Sequence, residues 1–304
     1  MKKIVNKWPI ILMVFSLFIM VIAGLKISSY YIVSDKQLAK EEELRSIYQA
    51  SKENSKMSTE DAGAEKSATA DSGAEEAGLD KPAVFLTDIN PDYVGWIEKE
   101  DLGISYPVVQ RDNTFYLNHN FEQEADRHGT IFLDEKCAKD SVIHLLHGHH
   151  MRDGSMFAGL KKLENHNYVE EHNTFLYDSG DGEKTYLVYA VALLDFSGKV
   201  SKEERFYYYR LPRTVTEYEK WQETLEKKAL YYDKSVSKQL EAILENYPQA
   251  EDTDNVATDD NLDIPAKEEN SDNSSLKGEI VVLSTCEYKT ETQRLIVVGI
   301  CQEG

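Results

Sequence analysis

The sequence Glu279-Ile280-Val281-Val282-Leu283-Ser284-Thr285-Cys286 is followed, after seven mostly polar residues, by Arg294-Leu295-Ile296-Val297-Val298-Gly299-Ile300. Both runs are rich in β-branched residues and have polar boundaries, a pattern that predicts two strands joined as a hairpin. Because paired strands lie about 5 Å apart, the hairpin would place Cys286 beside Arg294 at one end of a sheet. A nucleophile and a charge stabiliser would occupy such a position.

An upstream segment supplies an imidazole. A thiol is a strong nucleophile only as the thiolate, which needs a nearby positive charge or a base. The run Val142-Ile143-His144-Leu145-Leu146-His147-Gly148-His149-His150 reads as a short apolar strand that ends in a glycine and a histidine pair. The three segments therefore offer cysteine, histidine and arginine at strand ends, far apart in sequence but able to converge in space.

The order of these segments resembles the sortases, and specifically class B. The resemblance rests on Leu283-Ser284-Thr285-Cys286 followed by Arg294, and on Gly148-His149-His150-Met151-Arg152-Asp153-Gly154-Ser155-Met156-Phe157 upstream. Further matching strings are Tyr106-Pro107-Val108-Val109-Gln110, Asp112-Asn113, Tyr116-Leu117-Asn118-His119 and Gly129-Thr130-Ile131-Phe132-Leu133-Asp134. The resemblance covers most of residues 83–233 and 277–304. The matching strings, taken together and in this order, are more specific than any one of them.

The resemblance implies a catalytic site made of Cys286, His149 and Arg294, with His150 as the fallback for His149. Substrate-binding roles are implied for Asn113 and Leu117, which match the segment that lines the substrate groove in class B enzymes. Ser284 and Glu287, which flank the nucleophile, are implied in the same role. For these four residues a purely structural role remains equally open. No cofactor and no metal is implied.

The implied activity is that of a cysteine transpeptidase that anchors proteins to the cell wall. Its partners would be secreted proteins with a C-terminal sorting motif, cleaved at a threonine through a thioacyl intermediate, and a peptidoglycan precursor amine. Class B enzymes favour motifs that begin Asn-Pro or Ser/Pro-Pro, and the sequence does not indicate which. A cysteine peptidase or a pilin-type polymerase would use the same site, and a non-enzymatic surface binding module remains a further alternative.

The fold predicted is mainly β, a closed sortase-type β-barrel with a few flanking helices. Many short strand patterns separated by turns favour a closed or sandwiched β-core. The predicted strands are 104–110, 129–133, 141–146, 173–178, 184–196, 279–286 and 294–301, and the predicted helices are 155–164, 216–232 and 236–247. In the second helix Tyr218, Trp221, Leu225 and Ala229 recur at helical spacing.

The N-terminus predicts a membrane anchor. Residues 8–25 form an uncharged run of 18 residues, about 27 Å of helix against a hydrocarbon core of about 30 Å. Lysines precede the run and acidic residues follow it, which favours a cytoplasmic start and an extracytoplasmic catalytic domain. A cleaved signal peptide is the alternative. We expect an anchor over 1–33, a charged helical or disordered stalk over 34–82 and a catalytic domain over 83–304, in a single-pass protein of a Gram-positive-type cell surface.

The charge of the chain argues against nucleic acid as a partner. The 34 basic and 54 acidic residues give a net charge of −20, whereas phosphate binding needs a basic surface. Nine acidic residues and one lysine lie between Glu251 and Asp272, so we expect an acidic disordered insertion over about 248–276. Calcium binding there is a weaker alternative, because the spacing does not match an EF-hand loop.

The remaining histidines and cysteines have simpler interpretations. Zinc binding by the histidines of residues 144–150 is an alternative, but on a strand His144 and His147 would lie on opposite faces.

The chain has three cysteines. Because Cys286 must stay reduced to act, a disulfide between Cys137 and Cys301 is the only one compatible with catalysis. Nothing in the sequence brings these two together, so we expect three free thiols.

Overall fold

The structure is a computed structural model, and it describes residues 8–60, 85–138, 141–195, 212, 215–245, 279–286 and 293–302. It divides into two compact units, Met1–Phe85 and Leu86–Gly304. Within the ranges above, some side chains lie outside the described part, including that of Cys286. The predicted acidic insertion over about 248–276 lies outside the described residues.

The first unit contains one long helix, α1 (Trp8–Glu60). The apolar side chains near its start are exposed, namely Trp8, Leu12, Met13, Phe15, Leu17, Phe18, Ile19, Met20, Val21, Ile22 and Leu25. The helix continues through the first half of the predicted stalk, and residues 61–84 lie outside the described part. In the part of the chain that is described, no helix combines the length and apolar character that a membrane crossing requires.

The second unit contains nine strands and several short helices among its described residues. The strands are β1 (Tyr93–Lys99), β2 (Ile104–Val109), β3 (Ile131–Leu133), β4 (Ile143–Gly148), β5 (Thr174–Asp178), β6 (Glu183–Asp195), β7 (Ala229–Tyr232), β8 (Ile280–Cys286) and β9 (Gln293–Cys301). The α-helices are α2 (Leu86–Ile89), α3 (His166–Glu171), α4 (Val215–Lys228) and α5 (Ser237–Glu245). Single turns or short runs of 3₁₀-helix lie at Glu100–Leu102, Phe115–Leu117, Phe157–Glu164 and Lys234–Val236.

The strands form one sheet that closes on itself. Their order is β5-β1-β2-β3-β4-β8-β9-β6-β7, and β5 also pairs with β6. Eight strands thus form a closed ring, and β7 extends the sheet from β6. Two of the pairings are parallel, β2 with β3 and β4 with β8, while the other pairings are antiparallel. The predicted closed β-barrel is confirmed.

The core explains why β8 and β9 contain long apolar runs. Residues of both alternating faces are buried, such as Val281 and Val282 in β8 and Val297 and Val298 in β9. A strand covered on both faces requires a continuous apolar run. Helix α4 buries Tyr218, Trp221 and Leu225, which recur at helical spacing.

Two predicted helices differ from the structure, and two strands, β1 and β7, were not predicted. The helix predicted over 216–232 ends at Lys228, because residues 229–232 form β7 and pair with β6; tyrosines favour strands, and a sheet edge was available. The helix predicted over 155–164 is a 3₁₀-helix that begins at Phe157. Strand β1 was not predicted at all, and it lies between β2 and β5 in the sheet.

Candidate active site

The ends of three neighbouring strands bring the predicted catalytic residues to one edge of the barrel. Strand β8 lies between β4 and β9. Its Thr285 is paired with Gly148, the last residue of β4, and its Cys286 is paired with Arg294 in β9. His149 directly follows Gly148, so the backbone places Cys286 between the end of the histidine strand and the start of the arginine strand.

Arg294 lies at the start of β9, where the strand emerges from the core. Arg294 is half-buried, and the next residues of the strand are buried. The guanidinium Nη1 donates a hydrogen bond to the backbone carbonyl of Gln293 at 3.2 Å. A guanidinium remains charged at every relevant pH and offers several donors in one plane. Arg294 can therefore stabilise negative charge that develops beside Cys286.

His149 is held by a backbone carbonyl on another segment. Its Nε2 lies 2.6 Å from the carbonyl oxygen of Leu117, in the 3₁₀ turn between β2 and β3. A carbonyl oxygen only accepts hydrogen bonds, so Nε2 must carry the proton. The ring nitrogen left to exchange a proton with a substrate is therefore Nδ1.

The backbone on both sides of His149 is closely packed. A Cβ on the preceding Gly148 would come within 2.5 Å of the Ile131 Cδ1 and 2.6 Å of the Phe157 ring, so a glycine is required there. The amide of Phe157 donates to the carbonyl of His149 at 2.9 Å. His150, the predicted fallback, forms an isolated β-bridge with Met156. These contacts close residues 149–157 into a compact loop, called the histidine loop below.

Asn113 belongs to a polar network beside the site. Its Nδ2 donates to Asp134 Oδ2 at 3.0 Å, and its Oδ1 accepts from the amide of Glu135 at 2.8 Å. His147 Nε2 donates to the same Asp134 oxygen at 2.9 Å. Burial alone would raise the pKa of Asp134, but the hydrogen bonds from His147, the Lys136 amide and Asn113 outweigh it and lower that pKa.

The four predicted substrate-binding residues have different surroundings. Leu117 is 41% exposed and Ser284 only 2% exposed. Asn113 is half-buried and already bonded to Asp134, as described above. Glu287 lies outside the described residues. Their role in substrate binding stays a prediction, and the Leu117 carbonyl also contacts the imidazole of His149.

The other histidines and cysteines of the region have separate surroundings. His144 is buried and its ring packs edge-on against Tyr177, whereas His147 contacts Asp134. In the described part of the chain, no group of three potential ligands could hold a metal ion. Cys137 and Cys301 are both buried thiols, as predicted. Burial raises the pKa of Cys137 to about 12, which keeps it unreactive.

A histidine near the histidine loop escaped the sequence analysis. His128 is buried, and its ring lies between the carboxylates of Asp126 and Asp153. Asp153 is part of the histidine loop. His128 and Asp153 are 25 positions apart, and no pattern in the sequence indicates that they are in contact.

The site combines a thiol, a proton donor and a guanidinium cation. These groups are the ones that acyl transfer through a thioester requires.

Comparison with known proteins finds two similar proteins, both named Sortase B. The chain is 41% identical to Sortase B of Listeria monocytogenes (serovar 1/2a, strain ATCC BAA-679 / EGD-e) over 98 residues, which are 31% of this chain and 40% of that protein. It is 35% identical to Sortase B of Staphylococcus aureus (strain NCTC 8325 / PS 47) over 108 residues, which are 34% of this chain and 44% of that protein. The matched segments thus span less than half of either relative. No family model matches the chain.

Solved structures support the fold. A mutant form of Clostridium perfringens sortase B matches with a TM-score of 0.51 and 24% identity, over 72% of this chain and 85% of that chain. A crystal structure of Staphylococcus aureus sortase B matches with a TM-score of 0.51 and 23% identity, over 72% of this chain and 85% of that chain. At this sequence identity, the structural similarity shows the fold alone.

Proposed function

We propose that the chain is a class B sortase, a cysteine transpeptidase that attaches secreted proteins to the cell wall, and its partial identity to two Sortase B proteins supports this. It cleaves a C-terminal sorting signal at a threonine and transfers the new carboxyl end to a peptidoglycan amine. The observation that carries the proposal is the strand register, which pairs Cys286 with Arg294 and aligns it with the strand end before His149.

The first half of the reaction breaks the peptide bond. The Cys286 thiolate attacks the threonyl carbonyl carbon, and Arg294 donates hydrogen bonds to the oxygen as it becomes negative. The tetrahedral intermediate collapses when the carbon–nitrogen bond breaks. His149 gives a proton to the departing amine through Nδ1, because its Nε2 proton is engaged by the Leu117 carbonyl. A thioester between Cys286 and the threonine remains.

The second half forms the new amide. A neutral amine of the peptidoglycan precursor attacks the thioester carbonyl, and His149 takes up the proton that this amine loses. The carbon–sulfur bond breaks and the thiolate of Cys286 is restored. The protonation states of His149 and Cys286 at the end equal those at the start, so the cycle needs no cofactor.

Membrane attachment through the start of α1 is part of the proposal. The apolar side chains of residues 8–25 described above are exposed on the helix, and a helix exposing apolar groups on all sides is unfavourable in water. Attachment to the cytoplasmic membrane, with the catalytic unit on the outer side, would bring the enzyme to both substrates. The lysines before the apolar run support this orientation.

The proposal is tested with the purified full chain, a panel of pentapeptides and an amine acceptor. The panel contains signals that begin Asn-Pro, Ser-Pro, Pro-Pro and Leu-Pro, and mass spectrometry identifies the products. We expect an amide between the peptide and the acceptor, and no product with Cys286→Ala or His149→Ala. Peptide acid as the only product in the presence of amine would indicate a peptidase. Transfer only to a protein lysine would indicate a polymerase, and full activity of Cys286→Ala would exclude the mechanism.

A further inference from the structure

His128 has an unusual environment for a residue outside the catalytic trio. It is 1% exposed. Its Nδ1 lies 2.8 Å from Asp126 Oδ1, and its Nε2 lies 3.0 Å from Asp153 Oδ2. Because carboxylate oxygens only accept hydrogen bonds, both ring nitrogens donate in this arrangement. The ring therefore links two acidic residues that lie in different segments.

One of these segments is the histidine loop. Asp153 Oδ1 accepts from the amide of Ser155 at 3.1 Å and from its hydroxyl at 2.6 Å. Burial alone would raise the pKa of Asp153, but the hydrogen bonds from Ser155 and His128 outweigh it and lower the pKa to about 2. Asp153 is thus a carboxylate throughout the working range, and its second oxygen is held by His128. The tip of the loop that begins at His149 is thereby fixed.

The other segment holds the carbonyl that contacts His149. The turn that ends at Gly129 packs directly on the 3₁₀ turn of Phe115–Leu117, since a Cβ on Gly129 would collide with the carbonyl oxygens of Tyr116 and Leu117. The amide of Thr130 donates to the carbonyl of Tyr116 at 3.0 Å. His128 therefore joins the histidine loop to the backbone that presents the Leu117 carbonyl.

We propose that His128 is a positioning residue, which through Asp126 and Asp153 holds the Leu117 carbonyl and the His149 imidazole in register. Two routes then connect His149 with Leu117. One is the direct hydrogen bond between Nε2 of His149 and the Leu117 carbonyl. The other runs along the histidine loop to Asp153, and through His128 to the turn at Gly129. Loss of the link lets the histidine loop and the Leu117 turn move apart. His149 then loses the hydrogen bond that keeps its proton on Nε2 and directs Nδ1 toward the substrate. The expected effect on the reaction rate rests on the proposed function, whereas the expected effect on the geometry of His149 does not.

The geometric test is nitrogen-15 NMR of the full chain with labelled histidine. In the wild type we expect a slowly exchanging Nε2 proton on His149, and in His128→Gln we expect its loss, because glutamine reaches only one of the two carboxylates. Asp153→Ala breaks the link from the other side and gives the same result if His128→Gln does not fold. Ser155→Ala is the matched control, since it removes a contact of Asp153 but leaves His128 in place, and the His149 signal is retained.

The kinetic test uses transfer of the best pentapeptide to the amine acceptor. We expect His128→Gln to lower kcat about 10- to 100-fold with KM within about twofold, because a small misplacement of a catalytic group reduces rate more than binding. His166→Gln, which removes an exposed histidine paired with Glu170, is the control for histidine loss and keeps the wild-type rate. An unchanged His149 signal or an unchanged kcat in His128→Gln overturns the proposal. If the wild type transfers no peptide, the proposed function fails, and the NMR result alone decides the role of His128.

Discussion

At the residue scale, Arg294 is the proposed catalytic residue whose chemistry is hardest to replace. It is paired with Cys286 across the β8–β9 hairpin, and a charge stabiliser there must reach the carbonyl oxygen without a large rearrangement. The guanidinium supplies a planar set of donors, whereas an ammonium supplies a point charge on a flexible chain. Charge alone is therefore not sufficient at this position.

Arg294→Lys keeps the charge but loses this geometry. We expect kcat to fall about 100- to 1,000-fold, as when one donor to a developing oxyanion is removed. Steady-state kinetics with the pentapeptide and amine measure the effect. Arg45→Lys, in α1, serves as the control and keeps the wild-type rate. A decrease below about threefold in Arg294→Lys would show that charge alone is enough.

Asp134 gives a prediction about pH and stability. Its folded-state pKa lies below the ordinary value, so its hydrogen bonds stabilise the fold above that value and the stabilisation is lost as pH falls through the folded pKa. Asp134→Asn should lower the free energy of unfolding at pH 7 by about 1–3 kcal/mol. The difference from the wild type should shrink as the pH falls below about 4.

Urea unfolding at pH 7 and at pH 3 measures both values for the wild type and for Asp134→Asn. Glu223→Gln is the control, because Glu223 is exposed and pairs with Lys227 on the surface of α4, where a smaller effect is expected. A difference that stays constant from pH 7 to pH 3 would contradict the assignment of Asp134 as the titrating group.

The sequence indicated candidate catalytic residues, and the structure brings their strand ends together, but the sequence did not indicate what holds them. Cys286, His149 and Arg294 stand at the ends of apolar runs, and their residue types limit their chemistry. The contact of His149 with Leu117 uses a main-chain carbonyl, which has no signature in the sequence. The pairing of His128 with Asp153 depends on how two distant turns fold together, so pattern and propensity give no indication of it.

At the element scale, the end of β4 controls where His149 stands. Gly148 is its last residue, and the added Cβ considered above would meet Ile131 of β3 and Phe157 of the histidine loop. Both are buried core residues and have little room to move. The strand therefore delivers His149 beside Cys286 only with a glycine at this point.

Gly148→Ala should destabilise the fold by about 1–3 kcal/mol, because it overpacks the core. It should also reduce transfer activity, because the displaced strand end carries His149. Thermal unfolding and the transfer assay measure the two effects. Gly24→Ala in α1, where a Cβ meets nothing within 4 Å, is the control and leaves both values unchanged. Wild-type stability of Gly148→Ala would show that the packing there is loose.

Most strands were predictable from their apolar patterns, whereas β1 and β7 were not. Strands β8 and β9 are buried on both faces, so their composition alone identified them. Strand β1 contains Gly95, whose missing Cβ allows β1 to approach the backbone of Asp178. A glycine inside an apolar run weakens the strand signal in the sequence. Strand β7 continues the helical spacing of α4 through Ala229, and only the pairing with β6 decides its conformation.

At the scale of the whole molecule, the chain divides into a unit that contains α1 and a unit that contains the barrel. The apolar side chains near the start of α1 need a partner of low polarity, and the proposed partner is the membrane. The proposed chemistry and the proposed attachment lie in different units, so substitutions can test each one by itself.

Phe18→Arg tests the attachment. Phe18 is exposed in the middle of the apolar run, and one central arginine costs about 2.5–3.5 kcal/mol in a membrane helix. We expect at least a tenfold weaker association with phospholipid vesicles, measured by co-sedimentation, and unchanged transfer of a soluble pentapeptide. Ser46→Arg, farther along α1, is the matched control with wild-type association. Equal co-sedimentation of Phe18→Arg and the wild type would exclude this segment as the anchor.

The parallel pairing of β4 with β8 has a consequence for biogenesis. The end of β4 and the start of β8 are separated by about 130 residues, so this contact forms only after a long stretch of chain has been synthesised. A partly synthesised chain contains His149 without Cys286. Under the proposed function such a chain cannot form a thioester, and activity begins only when β8 joins the barrel.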